Sequence, residues 1–173
     1  MAHTSPILET PEHVRAVLSP LRSGVTLVLH SFGNAFAVGA IIRVAHSFLV
    51  RDIVLVGDEP HYEKASMGME KYEEIARVRD EAALFARIGA RPLWAVEKDH
   101  ATTSLYGAPQ FPDDVVLALG SERHGLPEGV LRRADKIVGI PMYGVNHSFP
   151  VAIACGIVLG EWARRRYCDG TIA

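Results

Sequence analysis

The stretch GIPMYGVNHSFPVAIACGIVLGEW, residues 139–162, combines three patterns that decide how the chain folds. A short apolar run ends at Pro141, and a polar loop with Gly, Asn, His and Ser occupies residues 144–148. Pro150 then opens a long apolar segment, and proline is favoured in the first turn of a helix. The stretch therefore predicts a buried strand, a tight polar loop and a buried helix. That arrangement suits either packing alone or a ligand held against the loop.

Upstream of this stretch, β-branched apolar runs alternate with segments of helical periodicity. The predicted strands are residues 25–30, 52–58, 92–97, 115–120 and 136–141. The predicted helices are residues 11–18 with Thr10 as N-cap, 40–50, 80–89 and the segment after Pro150. Runs that are apolar on both faces and alternate with helices are typical of a parallel sheet. The predicted fold class is α/β with a mostly parallel sheet and flanking helices, in one domain (1–173) with residues 1–20 as an N-terminal arm.

Composition is that of an ordinary globular domain. Of the 173 residues, 49% are hydrophobic and 22% are charged, which argues against disorder. The formal net charge of −2 gives no global attraction to nucleic acid, so any RNA contact must rest on a local basic patch.

Targeting, cysteine and histidine patterns favour a cytoplasmic protein. The start of the chain lacks a charged region followed by an apolar one, so we expect no signal peptide. The most apolar segment, Val151–Leu159, is too short for a membrane span of about 20 residues. Cys155 and Cys168 form no CxxC motif, which favours reduced thiols, and the eight histidines show no ligand spacing, so no metal is expected.

Three loops rich in glycine and polar residues follow predicted strands. They are GNAFAVGAIIR at 33–43, LGSERHGLP at 119–127 and IPMYGVNHSFP at 140–150. In an open α/β sheet, ligands bind beyond the carboxyl ends of the strands. None of the loops matches GxGxxG or GxxxxGK[ST], so neither the usual dinucleotide fold nor a P-loop is supported. The sequence therefore predicts a ligand site of another kind at this edge.

The three loops, in this order, resemble the motifs of the SPOUT methyltransferases, in the TrmH (SpoU) branch that methylates ribose 2′-oxygens of tRNA or rRNA. An Asn-containing loop leading to a helix with a fixed Arg is matched by Asn34 and Arg43. The pattern LxLGSExxGL is matched by LALGSERHGL at 117–126. The pattern IPMxGxxxSLNVSxA is matched by IPMYGVNHSFPVAIA at 140–154. The resemblance extends over residues 25–166.

The resemblance implies a C-terminal deep trefoil knot, a homodimer and S-adenosyl-L-methionine bound in the knot. Cofactor contacts would come largely from backbone, at Leu119, Gly120, Ser121, Gly125, Ile140, Met142, Ser148 and Phe149. The last helix would pack beneath the cofactor and serve the dimer through Ala152, Ile153, Gly156, Ile157, Leu159, Gly160 and Trp162. This implied ligand accounts for the polar loop ahead of the apolar helix.

The resemblance also gives candidate catalytic and RNA-binding residues. The catalytic candidates are Arg43, Asn34, Ser148 and Glu122, and a phosphate-binding track would consist of Arg43, Arg123, Arg132 and Arg133. A guanidinium is hard to deprotonate, so we expect Arg43 to anchor phosphate and to stabilise the developing alkoxide. Glu122 would fix its loop by accepting backbone N–H bonds. Each candidate also has an interpretation without a functional role. Arg43 would be a surface arginine and Glu122 a solvated acid. Ser148 would be a residue near a helix cap, and Asn34 would belong to an ordinary turn.

Two positions depart from the family pattern, and they leave an alternative function open. Pro150 stands where the third motif usually has Asn, and Ala37 stands where the first motif often has Asn, six residues before Arg43. The predicted function is an S-adenosylmethionine-dependent RNA 2′-O-methyltransferase. The alternatives are a non-catalytic SPOUT-fold RNA-binding or scaffold protein and an unrelated α/β enzyme.

Overall fold

The computed structural model describes residues 10–30, 33–58 and 61–167. Within them lies a sheet of seven strands: β1 (Thr26–His30), β2 (Asp52–Val56), β3 (Ile75–Val78), β4 (Leu93–Val96), β5 (Thr103–Ser104), β6 (Val116–Leu119) and β7 (Lys136–Gly139). All six pairings are parallel, in the order β3-β2-β1-β6-β4-β7-β5. This confirms the predicted α/β class, while the trefoil knot stays a prediction. Residues 1–9 of the predicted arm, loop residues 31–32 and Cys168 lie outside the described residues.

Six α-helices accompany the sheet in the described residues: α1 (Pro11–Leu18), α2 (Ala35–Ser47), α3 (Glu63–Ser66), α4 (Glu81–Ile88), α5 (Glu128–Arg133) and α6 (Val151–Tyr167). The Thr10 hydroxyl caps α1, and the Asp80 carboxylate caps α4 by accepting the Ala83 N–H at 2.8 Å. Gly89 ends α4 at φ +59°. In the part of the chain that is described, none of these helices is long and apolar enough to cross a membrane.

Both faces of the sheet are covered, and each has its own core. Leu27 and Leu29 of β1 point to the face that α2 and α6 cover, where Ile41 and Leu159 are fully buried. Val28 points to the opposite face, which α4 and α5 cover. Two-sided burial explains why β1, β2 and β6 are continuous apolar runs rather than alternating ones.

Several elements differ from the sequence prediction. Helix α2 begins at Ala35, five residues before the predicted start, because the Asn34 side chain caps it by accepting the Ala37 N–H at 3.1 Å. It ends at Ser47 instead of residue 50, since Leu49 has φ +48°. The prediction also omitted β3, β5, α3 and α5. These elements are four, two, four and six residues long, too short for periodicity to reveal.

The strand order reverses around β4, and this reversal indicates where a ligand site should lie. The strand that follows β4 in sequence, β5, lies on one side of it beyond β7, whereas the next one, β6, pairs with its other side. Ligands in open α/β sheets bind at such a switch point, beyond the carboxyl ends of the strands. The ends of β4, β6 and β7 therefore form the expected location.

Candidate functional site

A pocket of about 390 Å³ lies beyond the carboxyl ends of β4, β6 and β7. Its walls come from residues 96–100 and 119–126, from residues 140, 142 and 147–149, and from the first turn of α6. All eight residues predicted to hold a cofactor line it: Leu119, Gly120, Ser121, Gly125, Ile140, Met142, Ser148 and Phe149. The volume falls in the range of small-molecule sites. The second and third loop motifs are therefore brought together around one cavity.

The loop after β6 forms a tight turn that only glycine permits at two positions. A Cβ on Gly120 would lie 2.1 Å from the carbonyl carbon of Gly125, and Gly125 itself has φ +63°. Ser121 and Gly125 exchange two backbone hydrogen bonds of 3.2 and 2.9 Å, and the Ser121 hydroxyl accepts the His124 N–H at 3.0 Å. The turn thus presents backbone rather than side chains to the pocket wall.

The loop after β4 supplies pocket residues that the sequence reasoning missed. The Glu97 carboxylate accepts the Lys98 N–H at 2.8 Å and the Leu126 N–H at 3.2 Å, which ties this loop to the one after β6. The Lys98 ammonium donates to the His147 carbonyl at 2.6 Å and so holds the third loop over the pocket. The signal was present in the sequence, because Glu97 ends a predicted strand and the polar residues KDH directly follow it.

Glu122 and Ser148, two of the catalytic candidates, both line the pocket. Glu122 accepts the Val151 N–H at 3.1 Å, so its carboxylate caps the first turn of α6, where negative charge is favourable. Glu122 therefore holds the second motif against the third through a backbone N–H. Ser148 is exposed at the pocket, and its carbonyl accepts from the Asn146 side chain at 3.3 Å.

The two first-motif candidates lie outside the pocket lining. Asn34 is exposed at the start of α2 and uses its side-chain oxygen as the helix cap. Arg43 is exposed in the middle of the same helix. Among the described residues that line the pocket, neither appears. A role for Arg43 in catalysis therefore requires RNA or a second subunit to bring the reacting groups to it.

The four predicted RNA-binding arginines do not form one surface. Arg123 lines the pocket, but Arg132 is paired with Glu128 on the surface of α5. Arg133 donates to the carbonyls of Gly89 at 3.0 Å and Arg91 at 3.3 Å, which precede β4. Arg133 thus lies at the amino edge of the sheet, opposite the pocket that Arg123 lines, and its part in RNA binding stays a prediction. The spacing of residues in the sequence could not reveal this, because α5 runs from the carboxyl edge of the sheet towards its amino edge.

The arginines at the end of α6 serve the fold. Arg164 and Arg165 both donate to the buried Glu161, and these hydrogen bonds lower the pKa of Glu161 to about 2. Arg165 also donates to the carbonyls of residues 105, 106, 108 and 109. Arg166 pairs with Asp113. Arg165 and Arg166 therefore anchor the end of α6 to the neighbouring loops, and Arg164 pairs with Glu161 within the helix.

Thiol and metal chemistry have no support in the described residues. Burial raises the pKa of the Cys155 thiol to about 12, so it stays protonated and unreactive. The part of the chain that the structure describes contains no group of three or more His, Cys, Asp or Glu side chains placed to hold a metal. His124 and His147 both line the pocket without forming such a group.

The model of the SpoU rRNA Methylase family matches residues 24–160, which include the sheet, all three loops and most of α6. The chain belongs to this family. The match confirms the resemblance drawn from the three motifs, and it covers the pocket completely.

Among its relatives, this SpoU family member is 29% identical over 160 residues to the 23S rRNA (guanosine-2′-O-)-methyltransferase RlmB of Coxiella burnetii, covering 87% of the chain and 64% of that protein. It is similar to an AdoMet-bound rRNA methyltransferase from Sinorhizobium meliloti, with TM-score 0.74 and 27% identity over 90% of this chain and 61% of the other. A structure concerning the 2-OH methylation of C/U34 on tRNA matches with TM-score 0.74 and 26% identity, over 82% of this chain and 95% of the other. The chain thus spans about three fifths of the RlmB relative.

Proposed function

We propose that this SpoU family member transfers a methyl group from S-adenosyl-L-methionine to a ribose 2′-hydroxyl of tRNA or rRNA. The observation that carries the proposal is the pocket itself, since all eight residues expected to contact the cofactor line one cavity at the switch point of the sheet. The relatives named for rRNA methylation support the same reaction. We also propose that it acts in the cytoplasm, where bacterial rRNA and tRNA are found.

The pocket suits S-adenosyl-L-methionine because its wall offers both backbone polar groups and apolar surface. Leu119, Ile140 and Phe149 provide apolar walls, and the close packing of Gly120 against Gly125 brings main-chain N–H and C=O groups to the cavity. When bound, the cofactor supplies an electrophilic methyl group on a sulfonium. The missing amide at Pro150 leaves these contacts in place, because backbone and apolar side chains form the wall.

The chain's own contribution to the reaction is positioning and electrostatics. Holding the ribose hydroxyl in line with the methyl group is worth up to about 7–11 kcal/mol. We assign Arg43 to the RNA phosphate and to the negative charge that develops on the attacking oxygen. Arg123 lines the pocket and is exposed, so it is placed to bind a second phosphate. Asn34 and Ser148 would orient the ribose.

We further propose that the working form is a homodimer that uses one side of α6. Leu159 and Trp162, predicted for that interface, are instead buried within the protomer at 0% and 3% exposure. The side of α6 left for a partner carries Ile153, which is 53% exposed, with Ile157 and Gly160 along the same stripe. A second subunit would bury this apolar stripe, and it would add RNA-binding surface to a chain of only 173 residues.

Two measurements test the function. Calorimetric titration with S-adenosylmethionine and S-adenosylhomocysteine should give saturable binding with one site per subunit. Incubation of fractionated tRNA and rRNA with tritiated S-adenosylmethionine should then yield a labelled 2′-O-methylnucleoside after digestion. Binding without transfer to any RNA fraction would favour the non-catalytic alternative, for which the absence of an amide at Pro150 is the argument. Failure to bind either ligand would refute the proposal.

A further inference from the structure

Two aromatic side chains stand exposed beside the carboxyl end of β1, outside the pocket. Phe36, in the first turn of α2, is 63% exposed, and Tyr62 is 45% exposed. Their ring centroids are 6.3 Å apart and their planes differ by 30°. The two rings therefore present neighbouring faces and edges to solvent, although aromatic rings ordinarily contribute most when they are buried.

Backbone contacts fix the two rings relative to each other. The Tyr62 N–H donates to the Ala35 carbonyl at 2.8 Å, immediately before Phe36 in the chain. Gly39 lies one turn further along α2, and a Cβ there would be only 2.4 Å from the Tyr62 carbonyl oxygen. The segment that carries Tyr62 thus packs directly on the helix backbone, and the glycine makes that approach possible.

The ring pair lies on the same edge of the sheet as the pocket. Strands β1 and β6 are neighbours with Leu29 opposite Leu119, the last residue of β6. The end of β1 at His30 therefore lies beside Gly120, which lines the pocket, since adjacent strands are only about 4.8 Å apart. Under the proposed function, RNA that offers a ribose to the pocket would reach this edge of the sheet, where α2 begins at Ala35.

Arg43 lies on the same side of α2 as Phe36. The two residues are seven positions apart, which is close to two full turns or about 10 Å along the helix. Both are exposed, with the partly exposed Ala40 between them. Glu63 and Lys64 follow Tyr62 and offset each other in charge. Arg43 is therefore the charged side chain that this side of α2 presents, about 10 Å along the helix from Phe36.

We propose that Phe36 and Tyr62 form a stacking platform for an unpaired base of the substrate RNA, while Arg43 binds a phosphate of the same strand. The proposal rests on the proposed function, because it gives the RNA substrate its binding surface. Aromatic faces with a nearby cation are the usual means of holding unpaired bases, and they tolerate many sequences. A small pair of rings bordered by charged side chains fits a nucleotide better than the broad apolar core of a protein interface.

The test measures binding of a short fluorescein-labelled single-stranded RNA by fluorescence anisotropy. Phe36→Ala and Tyr62→Ala should each raise the Kd by about 5- to 100-fold, the range expected for loss of one stacked base. Phe36→Tyr should bind like the wild type, whereas Phe36→Leu, which keeps an apolar side chain without a ring, should behave like the alanine variant. Tyr106→Ala removes a ring that is 53% exposed beside β5, at the far end of the sheet, and should leave the Kd unchanged.

Other outcomes would overturn the platform. Wild-type affinity in Phe36→Leu would mean that the contact is apolar rather than stacking. Unchanged RNA binding together with a shift from dimer to monomer in sedimentation would assign the rings to a protein interface. If the wild type transfers methyl groups and Phe36→Ala keeps the same KM for RNA, the platform fails while the proposed function stands. If RNA binding falls in Phe36→Ala but the wild type binds no cofactor, the proposed function fails instead.

Discussion

Replacing Gly120 with alanine should distort the wall of the proposed cofactor pocket without changing any side chain that is proposed to act in methyl transfer. The added methyl group would lie 2.1 and 2.3 Å from the carbonyl carbon and oxygen of Gly125, and 2.4 Å from the nitrogen of Leu126. These are backbone atoms, so no side-chain rotation relieves the overlap. The two arms of the turn after β6, with Gly120 on one side and Gly125 and Leu126 on the other, therefore have to move apart.

The size of the effect follows from these distances. Non-bonded carbon atoms prefer separations of about 3.5–4.0 Å, so the turn must open by about 1.5 Å. Overpacking of this kind costs about 1–3 kcal/mol, and the paired hydrogen bonds between Ser121 and Gly125 weaken as well. We therefore expect a loss of about 3 kcal/mol in the free energy of unfolding. Because the displaced backbone is the pocket wall, a shift of this size should weaken cofactor affinity by about 100-fold.

Two assays and a matched control test this reasoning. Urea denaturation measures the free energy of unfolding, and calorimetry with S-adenosylhomocysteine measures the affinity. Gly107→Ala is the control, because a Cβ there meets no atom within 4 Å and Gly107 lies outside the pocket lining; both quantities should match the wild type. A folded Gly120→Ala protein that binds S-adenosylhomocysteine with wild-type affinity would refute the assignment of the turn to the cofactor.

The remaining predictions concern single side chains. Arg43→Ala should keep the cofactor Kd, since Arg43 does not line the pocket, and should lower the transfer rate by about 100-fold or more; weaker cofactor binding would contradict its assignment to RNA. Glu122→Ala should lower the free energy of unfolding by about 1 kcal/mol in urea, because the cap of α6 is lost, whereas Glu128→Ala serves as a surface control. Glu161 has its pKa lowered from 4.5 to about 2, chiefly by the hydrogen bond from Arg164, so its stabilisation is complete above pH 4.5 and is lost as the pH falls towards 2. Arg164 is 63% exposed, so solvent screening reduces the contribution to about 1–2 kcal/mol; wild type and Glu161→Gln should differ in urea at pH 7 and converge near pH 2, and a constant difference would disprove the linkage.

The cofactor pocket was predictable because its parts are contiguous in sequence and share one edge of the sheet. Each of the motifs at 117–126 and 140–154 follows a buried strand, and parallel strands end at a common edge. The glycines and the apolar runs were sufficient to identify those strands and turns. Backbone-built sites suit such reasoning, since local sequence alone determines the turn.

The residues proposed to bind RNA were harder to place, because their position depends on side-chain direction and helix length. Arg133 follows the pocket loop by only a few residues, yet α5 carries it to the opposite edge of the sheet. Glu97 was overlooked because its carboxylate joins its own loop, at the Lys98 N–H, to a loop 29 residues away, at the Leu126 N–H. The early start of α2 depends on the Asn34 cap, and that cap moved Phe36 from a predicted loop to the exposed face of a helix.

The two departures from the family pattern can be explained by the difference between the pocket, which is built largely from backbone, and the proposed RNA-binding surface, which is built from side chains. Both replace a side-chain amide, at Ala37 and at Pro150, and the pocket is held by other groups, including the Pro150 carbonyl, which accepts the Ala154 N–H at 3.0 Å. Ala37 is buried at 6% exposure against the core, and Pro150 begins the turn that Glu122 caps through the next N–H. The pocket thus retains its structure, and under the proposed function exposed side chains such as Arg43 orient the RNA. Substrate choice and cofactor binding are therefore separable: changes on the exposed side of α2 should alter the KM for RNA, and changes in the turn after β6 should alter the Kd for the cofactor.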